Sequence, residues 1–134
     1  MTGATSVRPK PEEHLVQYAL LIYGPEPEGE PDPQATAAMM AEYETFNQHL
    51  RDRGAYGAAE ALWPTATASS VRVRDGQTLT TDGPFAETKE ALGGFYVVEA
   101  ADLDEAIGYA ARIPGATSGT VEIRPVVDFA AMRG

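Results

Sequence analysis

Apolar and polar positions switch between two periods along this chain, and the switches mark its elements. Residues 15–23 are apolar on both faces with a break at Gln17, which suits a central strand covered on each side. Residues 24–33 hold four prolines and the four acids Glu26, Glu28, Glu30 and Asp32, a solvated loop. That loop ends as a helix start, with Asp32 as N-cap and Pro33 at the first helical position. From there to about Arg53, Met39, Tyr43, Phe46 and Leu50 recur at spacings of four, three and four, which draws one apolar stripe. Glu42, Glu44, Gln48 and Arg51 face outward, and Gly54 supplies the stop.

A strand pattern diluted by alanine and glycine covers 56–62. Val71 and Val73 then alternate with Arg72 and Arg74 up to Asp75-Gly76, after which 77–81 runs back, the signature of a β-hairpin. Residues 93–100 read as a strand. Asp102 and Glu105 form a capping box that opens a second helix, with Leu103, Ala106, Ile107, Ala110 and Ile113 as its buried stripe and Pro114-Gly115 as its end. In the last strand, 120–127, Val121 and Ile123 alternate with Glu122 and Arg124. The order predicts an α+β, ferredoxin-like β-α-β-β-α-β unit with an inserted β-hairpin. Two helices cover one face of such a sheet, so the other needs water or a partner. That face would carry Glu122, Arg124 and either Phe95 with Val97 or Tyr96 with Val98. A homodimer whose sheets face each other around a partly polar cleft fits this mixture.

At 134 residues the chain is one domain, 14–134, preceded by a tail, 1–13, with no apolar pattern to dock it. No run approaches the roughly 20 apolar residues that span a bilayer. The first residues lack the charged and apolar regions of a secretory signal, so a cytoplasmic protein is expected. Twenty acids against ten Lys and Arg give a net charge of −10, which argues against direct nucleic-acid binding. With no cysteine and only His14 and His49 for imidazole, thiol chemistry is excluded and neither a metal nor a cofactor is indicated. His49, near a helix C-terminus, reads as solvent-facing, favoured there when positively charged.

The densest chemistry lies in Asp82-Gly83-Pro84-Phe85-Ala86-Glu87-Thr88-Lys89-Glu90. Pro84 fixes its own φ and Gly83 admits unusual angles, so the turn is built to hold its shape, with Asp82 able to lock it and Phe85 to anchor it. Asp82 and Glu87 are the candidate proton carriers, with Lys89 and Arg124 available for an anionic group. Tyr43 sits on an apolar stripe and would need a hydroxyl partner if buried. Trp63, before Pro64, is a packing anchor or a stacking surface for a planar ligand. Glu87, Lys89 and Glu90 read equally as a solvated charge run.

This run, with Leu20-Leu21-Ile22-Tyr23, Val71 to Gly76, Gly93-Gly94-Phe95, Asp104-Glu105-Ala106 and Val121 to Val126, resembles the DGPF branch of the YCII-related family of small bacterial proteins. The resemblance covers nearly everything from Val16 to Val127. It implies a dimeric α/β barrel with a pocket between sheet and helix, the DGPF loop at its border. Better-studied relatives in the wider superfamily resemble enzymes with a His–Asp pair, the His on the first helix and the Asp in an Asp-Pro-Phe segment. Here Tyr43 stands where that His is expected, and Ile113-Pro114-Gly115 offers no Asp. His49, six residues on, points about 120° away from Tyr43 around the helix. Taken with the residues above, the expectation is a protein that binds a small organic molecule, by Tyr43, Trp63, Phe85, Lys89 and Arg124. A cofactor-independent lyase or isomerase using Asp82 and Glu87 is one form of it. The other is a non-catalytic accessory module associated with extracytoplasmic-function sigma factors.

Overall fold

The computed structural model describes residues 15–133, and the expected tail, 1–13, lies outside them. Strand β1 (Val16–Gly24) leads to helix α1 (Pro33–Asp52), then β2 (Tyr56–Ala61), the hairpin β3 (Ser69–Arg74) and β4 (Gln77–Asp82), β5 (Ala91–Ala100), helix α2 (Leu103–Ala111) and β6 (Thr120–Pro125). β6 stops at Pro125, two residues short of the strand expected over 120–127, and a five-residue helix, α3 (Phe129–Arg133), follows where no element was expected. Its start is capped by Asp128, which accepts from Ala131 N at 3.0 Å. β2, β5, β1 and β6 form one antiparallel sheet in that order, and β3 and β4 form a separate two-stranded ribbon. This is the ferredoxin-like α+β arrangement with the hairpin inserted between β2 and β5.

The caps follow the sequence. Asp32 accepts from Gln34 N at 3.1 Å, and Asp102 from Glu105 N at 2.9 Å. The Glu105 carboxylate reaches back to Ala101 N at 2.7 Å, so the box closes one residue earlier than its usual form. Asp75 and Gly76 both take positive φ, 52° and 77°, the conformation a two-residue turn between twisted strands demands.

The register sorts the sheet into two faces. Tyr18 pairs Val98, and Leu20 pairs both Tyr96 and Ile123, on the helix side. There Leu20, Leu50, Val98 and Ile113 are fully buried, each worth about 1.5–3 kcal/mol of apolar transfer, and Phe46 meets Tyr96 edge to face at 5.0 Å. Two stripes differ from the pattern. Along α1 the apolar stripe is covered only from Tyr43 onward, and Met39 and Met40 stay exposed among the described residues. In α2 the buried line is Ala106, Tyr109, Ala110 and Ile113, while Leu103 and Ile107 lie on the neighbouring line and stay exposed. A tyrosine's apolar body outweighed its hydroxyl in choosing that line.

Candidate functional site

On the helix-free face, two rows cross all four strands of the main sheet. One runs Glu60, Phe95, Leu21, Glu122, and the next Ala58, Val97, Ala19, Arg124. Phe95 and Val97 are thus the pair on this face, and Tyr96 and Val98 are in the core. The four central apolar residues are half-buried, while Glu60, Glu122 and Arg124 at the edges are exposed. An aliphatic and aromatic centre with a charged rim is left without cover among the described residues.

At one end of this face, Tyr23, Thr88, Glu90, Thr120 and Glu122 line a cleft of about 510 Å³. Tyr23 and Thr120 are register partners in the β1–β6 ladder. Gly119 makes that approach attainable, because a Cβ there would stand 2.0 Å from the Tyr23 carbonyl oxygen. Thr88 and Glu90 come from the segment that follows the hairpin, and the Thr88 hydroxyl donates to the Glu90 carbonyl. The DGPF loop therefore borders the cleft through Thr88 and Glu90.

The loop is locked differently from the expectation. Gly83 takes φ +98°, its N–H donates to Ala68 O at 2.6 Å, and the Ser70 hydroxyl donates to Gly83 O at 2.8 Å. Ser70, across the ribbon, performs the lock assigned to Asp82, whose exposed carboxylate makes no hydrogen bond among the described residues. Glu87 and Lys89 are exposed as well, alternating with the cleft-lining Thr88 and Glu90. Phe85 and Trp63 are 80% and 85% exposed, so neither anchors the chain's own core. At the hairpin root, two residues after Trp63, the Glu26 carboxylate accepts from Thr65 N at 2.7 Å and from its hydroxyl at 2.6 Å. Those two bonds hold the Glu26 pKa below the usual carboxylate value.

Tyr43 is elsewhere. It is half-buried on the helix side, and its hydroxyl accepts from Gly115 N at 3.2 Å. One phenol and one backbone amide thus join α1 to the turn that follows α2. Desolvation raises the Tyr43 pKa, the Gly115 bond opposes the rise, and Glu42 adds to it. Beneath it, Tyr96 donates to the Asn47 carbonyl, and its pKa is pushed up to about 12, first by burial, then by Tyr43, Tyr56 and Glu44. A second depression on this side, about 370 Å³, is lined by Glu42, Thr45, Phe46, His49, Arg112 and Pro114. His49 is half-buried against Tyr109 rather than solvent-facing, ring centroids 6.0 Å apart. Desolvation, then Arg112 and Arg53, lower its pKa, against the opposing pull of Asp52.

The structure therefore unites Arg124 with the open face, sets Asp82, Phe85, Glu87 and Lys89 along one loop, and separates Tyr43 from all of them. Tyr23 and Thr120 were not among the sequence candidates. Their only signal is strand register, which joins residues 97 positions apart. Among the described residues no group of three or more His, Asp or Glu side chains is placed to hold a metal ion, and no helix is long and apolar enough to cross a membrane.

The class is thus a small α+β protein, a ferredoxin-like sheet with a separate hairpin ahead of a DGPF turn. Residues 16–130 match the YCII-related domain, and the chain belongs to the YCII-related family. It is also similar, at 35% identity over 119 residues, to an uncharacterised protein of Rhizobium meliloti (strain 1021), an alignment spanning 81% of this chain and 90% of that one.

Proposed function

We propose that this chain acts in the cytoplasm as a homodimer that binds a small polar organic molecule in the cleft between the DGPF loop and the β1–β6 end of the sheet. The observation that carries the reading is the juxtaposition of that cleft with an uncovered sheet face of apolar centre and charged rim. Facing a second copy, such a sheet buries Phe95, Leu21 and Val97 and leaves Glu122 and Arg124 at the edge of an enclosed space. The walls offer three hydroxyl groups and two carboxylates, which suits hydrogen-bonded recognition of a hydroxylated or amine-bearing molecule, with Arg124 beside them for an anionic group.

In the catalytic form of this reading, a lyase or isomerase, proton transfer falls to carboxylates that reach the ligand. Glu90 and Glu122 line the cleft in the single chain. Asp82 and Glu87 join them where a second copy covers their loop, as do Phe85 and Lys89 for binding. The accessory reading, a module docking on an extracytoplasmic-function sigma factor, draws on the exposure of Trp63 and Phe85, since large exposed aromatics mark protein contacts.

An NMR fragment screen with small hydroxy acids, diols and amines tests the binding reading. Expected are shifts clustered at Tyr23, Thr88, Glu90 and Thr120 that Glu122→Gln weakens. Fragments that perturb only residues outside the cleft, or none at all, would displace this reading and put the accessory module first.

A further inference from the structure

The ribbon β3–β4 is in an unusual position for a folded chain: every residue from 71 to 82 is exposed. A two-stranded hairpin alone is marginal in water, and three strands or a packed face are needed for it to persist. Its two faces differ. Val71 and Val73 share one with Thr78 and Thr80, while Arg72, Arg74, Gln77 and Leu79 share the other. The first is a β-branched, uncharged surface, the composition of a face that packs.

Where the ribbon is rooted indicates what covers it. The segment returning from it to β5 shares a cleft with Tyr23 and Glu122, so it passes on the helix-free side of the sheet. The root is held by Glu26 on Thr65, Gly83 on Ala68 and Ser70 on Gly83, which sets the ribbon's departure. A second copy facing the open sheet meets this arm at its flank. Charge favours the same occupant. Residues 69–82 carry two arginines and two aspartates, which cancel, so the whole net charge of −10 sits on the rest of the chain. Two copies repel least where a neutral arm makes the contact. Area agrees too. Trp63 and Phe85 at the root expose roughly 300 Å² between them, and Val71, Val73 and Leu79 add to it, a large share of the ~800 Å² that each partner of a stable pair buries.

We propose that the β3–β4 arm is a clasp. Resting on the homodimer reading above, it lays its Val71, Val73, Thr78 and Thr80 face over the cleft-bearing end of the second copy's open sheet face, beside the contact between the two sheets, and the two arms of the dimer do so reciprocally. Each cleft is then roofed by the other copy's arm, and the site is incomplete in one chain.

The chain has no cysteine, so one introduced at Gln77, an exposed arm position, takes a single spin label. Labelled and 15N-enriched copies are mixed by co-refolding, and broadening of the enriched copy's amides reports contact between copies. The expected result is loss of at least half the signal at Tyr23, Thr120 and Glu122, the sheet residues of the cleft. The double substitution Val71→Thr, Val73→Thr, which keeps β-branching and shape but removes the apolar face, should restore that signal. Light scattering should still give a dimer held by the sheets. A dimer without broadening on the open sheet, or broadening that the threonine pair leaves unchanged, overturns the clasp while the dimer reading stands. A monomer by light scattering overturns both.

Discussion

Gly119 and Gly108 give a paired test of how the sheet end that bears the cleft is held together. At Gly119 a Cβ would lie 2.0 Å from Tyr23 O, 3.0 Å from Gly24 Cα and 3.1 Å from the Tyr23 carbonyl carbon, all backbone. Non-bonded carbon wants about 3.5 Å, so β1 and the entry to β6 must part by roughly 1 Å or more. Overpacking of this kind costs about 1–3 kcal/mol, and a neighbouring ladder hydrogen bond lost between Tyr23 and Thr120 adds about 1 kcal/mol. Removing glycine's freedom from the unfolded chain returns about 0.4–1 kcal/mol. Gly119→Ala should therefore destabilise by about 2 kcal/mol or more.

Gly108, exposed in the interior of α2, meets nothing within 4 Å, so Gly108→Ala should stabilise by about 0.5–1 kcal/mol. For 134 residues the unfolding entropy is about 0.28 kcal/mol/K, so the shifts in Tm are about −7 °C and about +2 to +4 °C. Both variants and the parent are melted at one protein concentration, because association would make Tm depend on it. A Gly119→Ala protein within 2 °C of the parent would refute the close approach of β6 to Tyr23. The cleft's geometry would have to be rebuilt with it.

Light scattering at micromolar concentration should return twice the 14.3 kDa chain mass, and a single-chain mass would remove the second copy from the functional reading. Asp82→Asn should shift stability by less than about 0.5 kcal/mol in urea melts, since the exposed carboxylate makes no hydrogen bond among the described residues, and a larger loss would mean that it holds the turn. Stability should be level to about pH 10 and fall towards pH 12. The Tyr96 pKa of about 12 lies above the unfolded value near 10, so the folded state holds a proton that the unfolded state releases in that window. Tyr96→Phe should flatten the fall in a pH series of melts. Glu26 has the opposite sign. Its folded pKa is depressed, so its grip on Thr65 holds above the unfolded carboxylate value and is lost as pH falls through the depressed one. Glu26→Ala should speed amide exchange at Thr65 at neutral pH, and unchanged exchange would place the root's rigidity elsewhere.

The parts of the fold legible in the sequence are those fixed by local chemistry. Asp32-Pro33 and Asp102 with Glu105 start the helices where they were read, and Asp75-Gly76 turns the hairpin. Periodicity located the elements but erred on which side of them is covered. Met39 continues the Tyr43, Phe46, Leu50 line, yet the stripe is buried only where other elements reach it. Tyr109 lies outside the expected stripe of Leu103, Ala106, Ile107, Ala110 and Ile113, yet it is buried. The last strand is shorter than its apolar pattern, ending at Pro125, although the Val126 N–H still donates to Gln17 O at 2.9 Å beyond it.

The candidate site was legible only as far as its loop. Alternation along 87–90 carries the reason: once Thr88 and Glu90 turn to the cleft, Glu87 and Lys89 are left outside, and nothing in the run itself says which pair goes in. Register decides it, because Glu122 and Tyr23 lie on the face that Thr88 and Glu90 join. Exposed Trp63, Phe85, Val71 and Val73 look like errors in the chemistry of a single chain. They become consistent when the folding unit is taken as two chains, since each of them lies on the arm or its root and none on the helix side. On the clasp reading proposed above, valines spent on an arm outside the chain's own core would place that part of the stability in a contact between copies, and the cleft with it.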